Sequence, residues 1–576
     1  MVNKIISKGK KLFTRPQGSI LSAATIIMLM VVASRVLGLL RQRTLAHFFT
    51  PDDLSLFFAA FRLPDLVFEV LVFGTFSSAF IPVFIRALKR GRKEAWEIAS
   101  SVTNIGFTAF VFLAAVLIFF SNQLYGFIAP GYSIEHREQI VGMARILFGA
   151  QGFFVVSYVL TAVLESSRRF LIPAIAPLFY NLGIIFGTIF FAPSLGLMAP
   201  TIGVIIGAAL HLIIQLPLAL KLGFRFKPII KINKSVKKIG KLALPRLIEV
   251  SFLQISKSVE LFLASLISTA SYTYFTFGNT LQLLPVGLFG ASIAKAALPT
   301  LSRQADNLTE FKKTLFGALY QVTFLVTPLA VALIVLRIPT VRLIFGTDIF
   351  SWEATVQTGL VVSAFALSIV FQSAVAILSR AFYALHDTKT PVVISLVAIL
   401  LNIAAAFFFI KYLKLPVWGL AAAFSINSAI QATFLFFFIN KKIGDGRKLE
   451  TVLPFIKTLF ASLGSGLVMY FILKFFDRSV WIKKLSFLGR IEGVSAIPFE
   501  KFVLDTRYTG NLLILTIFVL LMGAITYILL SILLGSKEIW EFFNLAKRVF
   551  VRHVIGPIPR KETETVVPPP TDTTTP

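Results

Sequence analysis

Arg35 and Arg41 stand inside the first long apolar stretch of this chain, in the segment Ser34-Arg35-Val36-Leu37-Gly38-Leu39-Leu40-Arg41. A charge at the centre of a bilayer costs about 2.5 to 3.5 kcal/mol on insertion scales, so such residues are candidates for function. Six helical residues turn through about 600°, which leaves the two side chains about 120° apart, able to border one cavity without stacking. A guanidinium presents planar pairs of donors and stays charged at any working pH, so a cavity holding two of them suits a pyrophosphate or another polyanion. Arg41, and Arg43 beside it, can instead snorkel to the membrane interface, which is harder for the deeper Arg35. Arg62 and Glu69 lie seven residues apart on one face of the second stretch, as ligand contacts or as a helix-face pair. Glu249, Lys257 and Glu260 interrupt the seventh stretch, and Lys295 the eighth. Lys257 and Glu260, at i and i+3, are close enough to neutralise each other; the cluster reads as an internal pair or as a coupling-ion or proton site. Pro64, Gly74, Pro285 and Gly290 permit bends or gates, although ordinary kinked packing explains them equally well.

The elements that must position these residues are membrane helices. Of 576 residues, 56% are apolar and 14% charged, against about 25% charged in a soluble domain, and the mean hydropathy is +0.84. A soluble enzyme is nearly excluded. At about 22 residues per span the apolar content fills about fourteen helices, expected near 20–46, 54–88, 98–120, 138–165, 171–192, 196–221, 239–267, 272–300, 313–337, 355–383, 391–411, 416–440, 451–475 and 511–535. Alternate connections are basic: the amino terminus, Arg86 to Lys93, Arg168 and Arg169, Lys221 to Lys241, Arg303 to Lys313, Arg380 to Lys389, and Lys441 to Lys448. The intervening ones are nearly bare, which places both termini in the cytoplasm and assigns the net charge of +29 to loops facing anionic lipid, with no nucleic-acid partner. Residues 1–19 form a basic cytoplasmic lead, and the Pro- and Thr-rich end of 541–576 is expected to be a disordered tail.

Pro64, Pro82, Pro173 and Asn181 recur as Pro285, Pro299, Pro391 and Asn402, at offsets of 217 to 221 residues. A period of that length contains six helices. The expected organisation is two six-helix lobes, 20–225 and 226–445, in parallel pseudo-repeat around a site near the midplane, with helices 13 and 14 and an outer loop appended over 446–540. The chain has no cysteine, and its five histidines are dispersed. There is no His-Glu-x-x-His, P-loop or Gly-x-Ser-x-Gly pattern, so no enzyme activity, cofactor or metal site is expected. Without a nucleotide site, transport has to be driven by an ion gradient, the membrane potential or the substrate's own imbalance. Each chain holds both halves, so a monomer is the expected state.

Ala-Ser-Arg-Val-Leu-Gly-Leu-Leu-Arg (33–41), Phe-Arg-Leu-Pro-Asp-Leu (61–66), Gly-Thr-Phe-Ser-Ser-Ala-Phe-Ile-Pro-Val-Phe (74–84), Ala-Leu-Pro-Thr-Leu-Ser (297–302) and Arg-Ala-Phe-Tyr-Ala-Leu-His-Asp-Thr-Lys-Thr-Pro (380–391) resemble the MurJ family of lipid II flippases, within the multidrug, oligosaccharidyl-lipid and polysaccharide exporter superfamily. The resemblance covers about 20–535. It implies movement of undecaprenyl-pyrophosphate-linked peptidoglycan precursor from the inner to the outer leaflet of the bacterial cytoplasmic membrane, for cell-wall synthesis. The implied mechanism is alternating access around a cationic cavity, with a groove for the lipid tail beside the last two helices. Arg35 and Arg41 match the two first-span arginines of the family. Gln42 stands where the family usually has an acid, Ser55 in place of an aspartate, Glu69 in place of a basic residue, Phe73 in place of an acid, and Thr280 in place of an eighth-span arginine. Lys257 or Arg246 is expected to restore the missing charge. The substrate-binding set is therefore Arg35, Arg41, Arg62 and Lys257. The alternatives are a flippase for another polyprenyl-linked glycan, a drug/cation antiporter, or a non-transporting scaffold that binds precursor. A multispan glycosyltransferase would require an acid cluster that the sequence lacks.

Overall fold

The computed structural model describes residues 20–73, 79–444, 448–477 and 504–540. They form helices joined by short connections, apart from one isolated bridge between Asp477 and Leu504. In chain order the helices are α1 (Ile20–Phe48), α2 (Pro51–Ala60), α3 (Arg62–Phe68), α4 (Ile81–Arg90), α5 (Arg92–Phe119), α6 (Ser121–Ile128), α7 (Ile134–Ser166), α8 (Leu171–Leu195), α9 (Met198–Ile213), α10 (Leu216–Lys221), α11 (Lys234–Ile267), α12 (Ser271–Pro285), α13 (Ala291–Arg303), α14 (Leu308–Val335), α15 (Arg337–Phe345), α16 (Trp352–Ala384), α17 (Lys389–Phe407), α18 (Trp418–Ile443), α19 (Lys448–Phe476) and α20 (Thr509–Leu533). Twelve stretches among the described residues are long and apolar enough to cross a bilayer. The two further spans expected from the sequence correspond to the 29-residue α1 and to an interrupted second segment. By length and composition the count is thus twelve where fourteen were expected.

The second segment is interrupted for reasons visible in its residues. Thr50 and Asp53 form a reciprocal capping box, with Pro51 in the first turn, and so start α2 firmly. Pro64 has no N–H to offer the carbonyl four residues before it, that of Ala60. The buried Tyr125 hydroxyl donates to that carbonyl at 2.8 Å instead. The helix resumes as α3 and widens into a π-helical turn over Glu69–Phe73. A matching π-helical turn, Val286–Gly290, follows Pro285 between α12 and α13 and begins 217 residues later. Ser55 and Thr273, 218 residues apart, touch directly: the Ser55 hydroxyl meets Thr273 Oγ1 at 2.9 Å, and the Thr273 N–H donates to Ser55 Oγ at 2.9 Å. Contact between residues one repeat apart is the arrangement found on a pseudo-twofold axis.

Close helix approach is obtained with small residues. Gly183 and Gly187 of α8 face Gly207 and Gly203 of α9 so tightly that an added Cβ would lie 2.3–2.4 Å from the partner's Cα, which only glycine accommodates. Outward faces carry exposed Phe112, Phe190, Phe437 and Leu521, as lipid contact requires. The last two helices dock on α14 through Met469, Leu473, Leu515 and Val519 against Ala332 and Leu336.

Candidate functional site

A cavity of about 320 Å³ lies where α1, α2, α3, α8 and α12 converge, so it is walled by both halves of the chain. Arg41 projects into it beside Tyr180 and has no hydrogen bond or carboxylate partner among the described residues; its Nε is sealed from solvent and unpaired. Arg62 borders the same space, but its charge is matched. Its Nη2 lies 3.4 Å from Asp65, and Asp65 Oδ1 also accepts from Gln151 Nε2 at 2.6 Å. Gln42, adjacent to Arg41, donates from Nε2 to Thr280 Oγ1 at 2.9 Å and so ties α1 to α12.

A second polar group, partly exposed, also joins the two halves of the chain. Glu69, on the first π-helical turn, accepts from Gln254 and from Lys257, whose Nζ is 3.4 Å from both carboxylate oxygens. The pairings differ from those the spacing suggested. Arg62 and Glu69 share a helical face but are separated by about 10 Å of rise, so Arg62 takes Asp65 one turn away. Lys257 crosses to Glu69 rather than closing on Glu260. Glu260 lies within electrostatic reach of Arg62 and Lys257, without a direct hydrogen bond to either among the described residues.

Arg35 does not open into the Arg41 cavity. It is exposed and lines a separate hollow of about 340 Å³ with Ser34, Glu165 and Phe170. Its guanidinium approaches Gly287 on the second π-helical turn, where an added Cβ would stand 3.9 Å from Nη2. The 120° separation that permits a common border here sends the two arginines to different spaces. Arg43 is consumed structurally, donating to the carbonyls of Leu343 and Ile344 at the end of α15. Lys295 is exposed on α13. Gly290 packs against Ser373 of α16, where a Cβ would meet Oγ at 2.6 Å, so close approach explains this glycine. Gly74 and the side chains of Phe73, Arg246 and Glu249 lie outside the described residues. Sequence reasoning missed Asp65, Gln151, Gln254, Tyr180 and Tyr272. Asp65 was legible as the i+3 partner of Arg62, whereas glutamines and tyrosines escape a search for buried charge.

The 380–391 motif forms a turn between α16 and α17. Asp387 accepts from the Thr390 N–H at 3.0 Å, the Thr390 hydroxyl at 2.9 Å and Lys442 of α18 at 2.8 Å. Partial burial opposes ionisation of Asp387, but these donors outweigh it and hold the carboxyl down at about 2.

A family model described as lipid II flippase MurJ matches residues 44–488. The chain belongs to the MurJ family. Its relatives include probable lipid II flippases of Buchnera aphidicola subsp. Acyrthosiphon pisum, 30% identical over 71% of this chain and 81% of that one, and of Haemophilus influenzae, 26% identical over 80% and 96%. A solved lipid II flippase MurJ in an inward closed conformation shares the fold, with a TM-score of 0.71 at 23% identity over 92% of this chain and 100% of that one. An inward-facing multidrug resistance MATE family transporter has a TM-score of 0.61 at 13% identity over 71% and 94%. The structure also relates the departures from the MurJ pattern to one another. Gln42 and Thr280, where the resemblance implies an acid and an arginine, are hydrogen-bond partners. Glu69, where the resemblance implies a base, is paired with Lys257.

Proposed function

We propose that this chain is a flippase that moves lipid II from the inner to the outer leaflet of the bacterial cytoplasmic membrane by alternating access of two six-helix lobes, residues 20–225 and 226–445. The observation that carries the proposal is Arg41, a cation facing an inter-lobe cavity with no hydrogen bond or ion pair of its own among the described residues, Asp65 in the same lining being held by Arg62. A diphosphate supplies the missing anion, and the guanidinium fork binds its oxygens in bidentate fashion. Arg62 and Lys257 offer further donors to the headgroup while keeping Asp65 and Glu69 as their partners. Arg35, in the neighbouring hollow against Gly287, guards the passage between α1 and the second π-helical turn.

The basic connections set both termini in the cytoplasm. With that orientation, the Ser55–Thr273 contact and the Gly131 N–H to Ser265 Oγ bond at 3.2 Å close the outer end. Family membership supports lipid II as cargo, α19 and α20 serve the lipid tail, and one chain suffices as the working unit. An ion gradient or the membrane potential supplies the drive, with the Glu69–Lys257 bridge and Glu260 as the groups to couple it. An antiporter for cations would need an unpaired acid at the position Arg41 occupies. The test is rescue of a flippase-depleted bacterium. The intact chain is expected to restore growth and Arg41→Ala and Arg35→Ala are not; rescue by both variants at normal expression would overturn the site.

A further inference from the structure

At the end of the bundle remote from the basic connections, a larger cavity of about 640 Å³ lies between α14, α15, the start of α16, α19 and α20. None of the roles assigned above uses it. Its charged lining comprises Arg337 and Arg342 of α15, Lys474 of α19, Asp477 and Arg507. Most connections at this end carry few cations, so this concentration runs against the charge bias of the chain.

The cations divide into engaged and available. Arg507 is committed to Asp505 at 2.7 Å. Asp477 accepts from the Thr506 hydroxyl at 2.9 Å. Arg342 gives one Nη1 donor to the Phe350 carbonyl at 3.1 Å and keeps the remainder of its fork. Among the described residues half-buried Arg337 has no hydrogen bond or ion pair, and half-buried Lys474 has only the Tyr470 ring, 5.9 Å from Nζ. The same lining includes apolar Ile334, Val335, Ile338, Leu473 and Leu512, and Trp352 is exposed. A space at the helix ends that combines cations, apolar side chains and an exposed aromatic matches an amphiphile lying at the membrane interface.

We propose that this cavity binds the phosphate-bearing headgroup of a membrane lipid, with Arg337, Lys474 and the free part of Arg342 on the phosphate oxygens and the first methylenes against Leu473 and Leu512. The site is separate from the Arg41 cavity, and its existence does not rest on the flippase reading; only its assignment to the outer leaflet does. Two lipids offer the required chemistry, an anionic glycerophospholipid and the polyprenyl diphosphate that transport delivers to that leaflet.

The full-length protein in detergent is titrated with phosphatidylglycerol and, separately, with a short-chain polyprenyl diphosphate, and bound lipid is read by native mass spectrometry. Arg337→Gln/Lys474→Gln is expected to weaken at least one of them about tenfold, each single change less, while Arg41→Ala leaves phosphatidylglycerol binding unchanged. Loss confined to phosphatidylglycerol identifies the phospholipid, and loss confined to the diphosphate identifies the transported lipid. In nanodiscs, brominated phosphatidylglycerol or a brominated polyprenyl diphosphate is expected to quench the fluorescence contributed by Trp352, defined by difference from Trp352→Phe, more than brominated phosphatidylcholine does. This second measurement needs no charge change and stands if the double variant fails to fold. Affinities for both lipids within twofold of wild type in the charge variants, or quenching by neither brominated phosphatidylglycerol nor a brominated polyprenyl diphosphate above that by brominated phosphatidylcholine, overturns the proposal.

Discussion

Arg41 and its neighbour Gln42 show how the cavity keeps a usable cation. An acid at position 42 would sit beside Arg41 and compete with any anionic headgroup, and the neutral Gln42–Thr280 bond avoids that. Gln42→Glu alone is therefore expected to reduce transport about tenfold, the scale of one charged hydrogen bond, and Thr280→Arg in the same chain to recover most of it, as measured by the initial rate of flipping in proteoliposomes. Additive effects of the two changes would show that they do not communicate. At this scale the sequence was informative about which cations mattered and poor about their partners. Arg41 was recognisable as a charge out of place, but whether it was paired depended on side chains brought in from α8 and α12. The Lys257–Glu69 bridge was illegible because it joins positions 188 residues apart. The Lys257–Glu260 spacing offered a local alternative that the fold does not take. The Gln42–Thr280 bond was equally illegible, since it joins positions 238 residues apart.

Among the elements, the second segment carries the most information. One apolar span able to bend at Pro64 and Gly74 was expected across 54–88, and the described part consists of α2, α3, a π-helical turn and α4. Pro64 signalled the break, but the means of tolerating it, a tyrosine from α6 on the orphaned Ala60 carbonyl, is a tertiary contact. Tyr125→Phe leaves that carbonyl buried and unsatisfied, and is expected to destabilise the protein by about 1 to 3 kcal/mol, seen as a lower midpoint in thermal unfolding in detergent. An unchanged midpoint would mean that water or a neighbouring donor replaces the hydroxyl. The two π-helical turns at matched repeat positions were not foreseeable, since hydrophobic periodicity does not separate π from α within a single turn. The prolines that precede them gave the repeat its first trace.

For the whole molecule, the architecture of a polytopic helical bundle was legible from composition, the spacing of apolar stretches and the alternation of basic connections. Closure at one end was not, because it rests on small polar contacts such as Ser55 with Thr273. The chain contains no cysteine, so Ser55→Cys/Thr273→Cys introduces an isolated pair where the two oxygens now stand 2.9 Å apart. Oxidation is expected to form a disulfide that holds the lobes together at this end and stops transport, with recovery on reduction. Transport that continues through the cross-link would exclude opening at that end. The account depends most on Arg41 meeting the headgroup between the lobes. The direct measurement is leaflet accessibility of lipid II in proteoliposomes containing wild type, Arg41→Ala or Arg35→Ala at equal protein content. The prediction is rapid exchange with wild type, and with Arg41→Ala a rate reduced about tenfold or more, the loss of a charged hydrogen-bonding group; equal rates for all three proteins would contradict it.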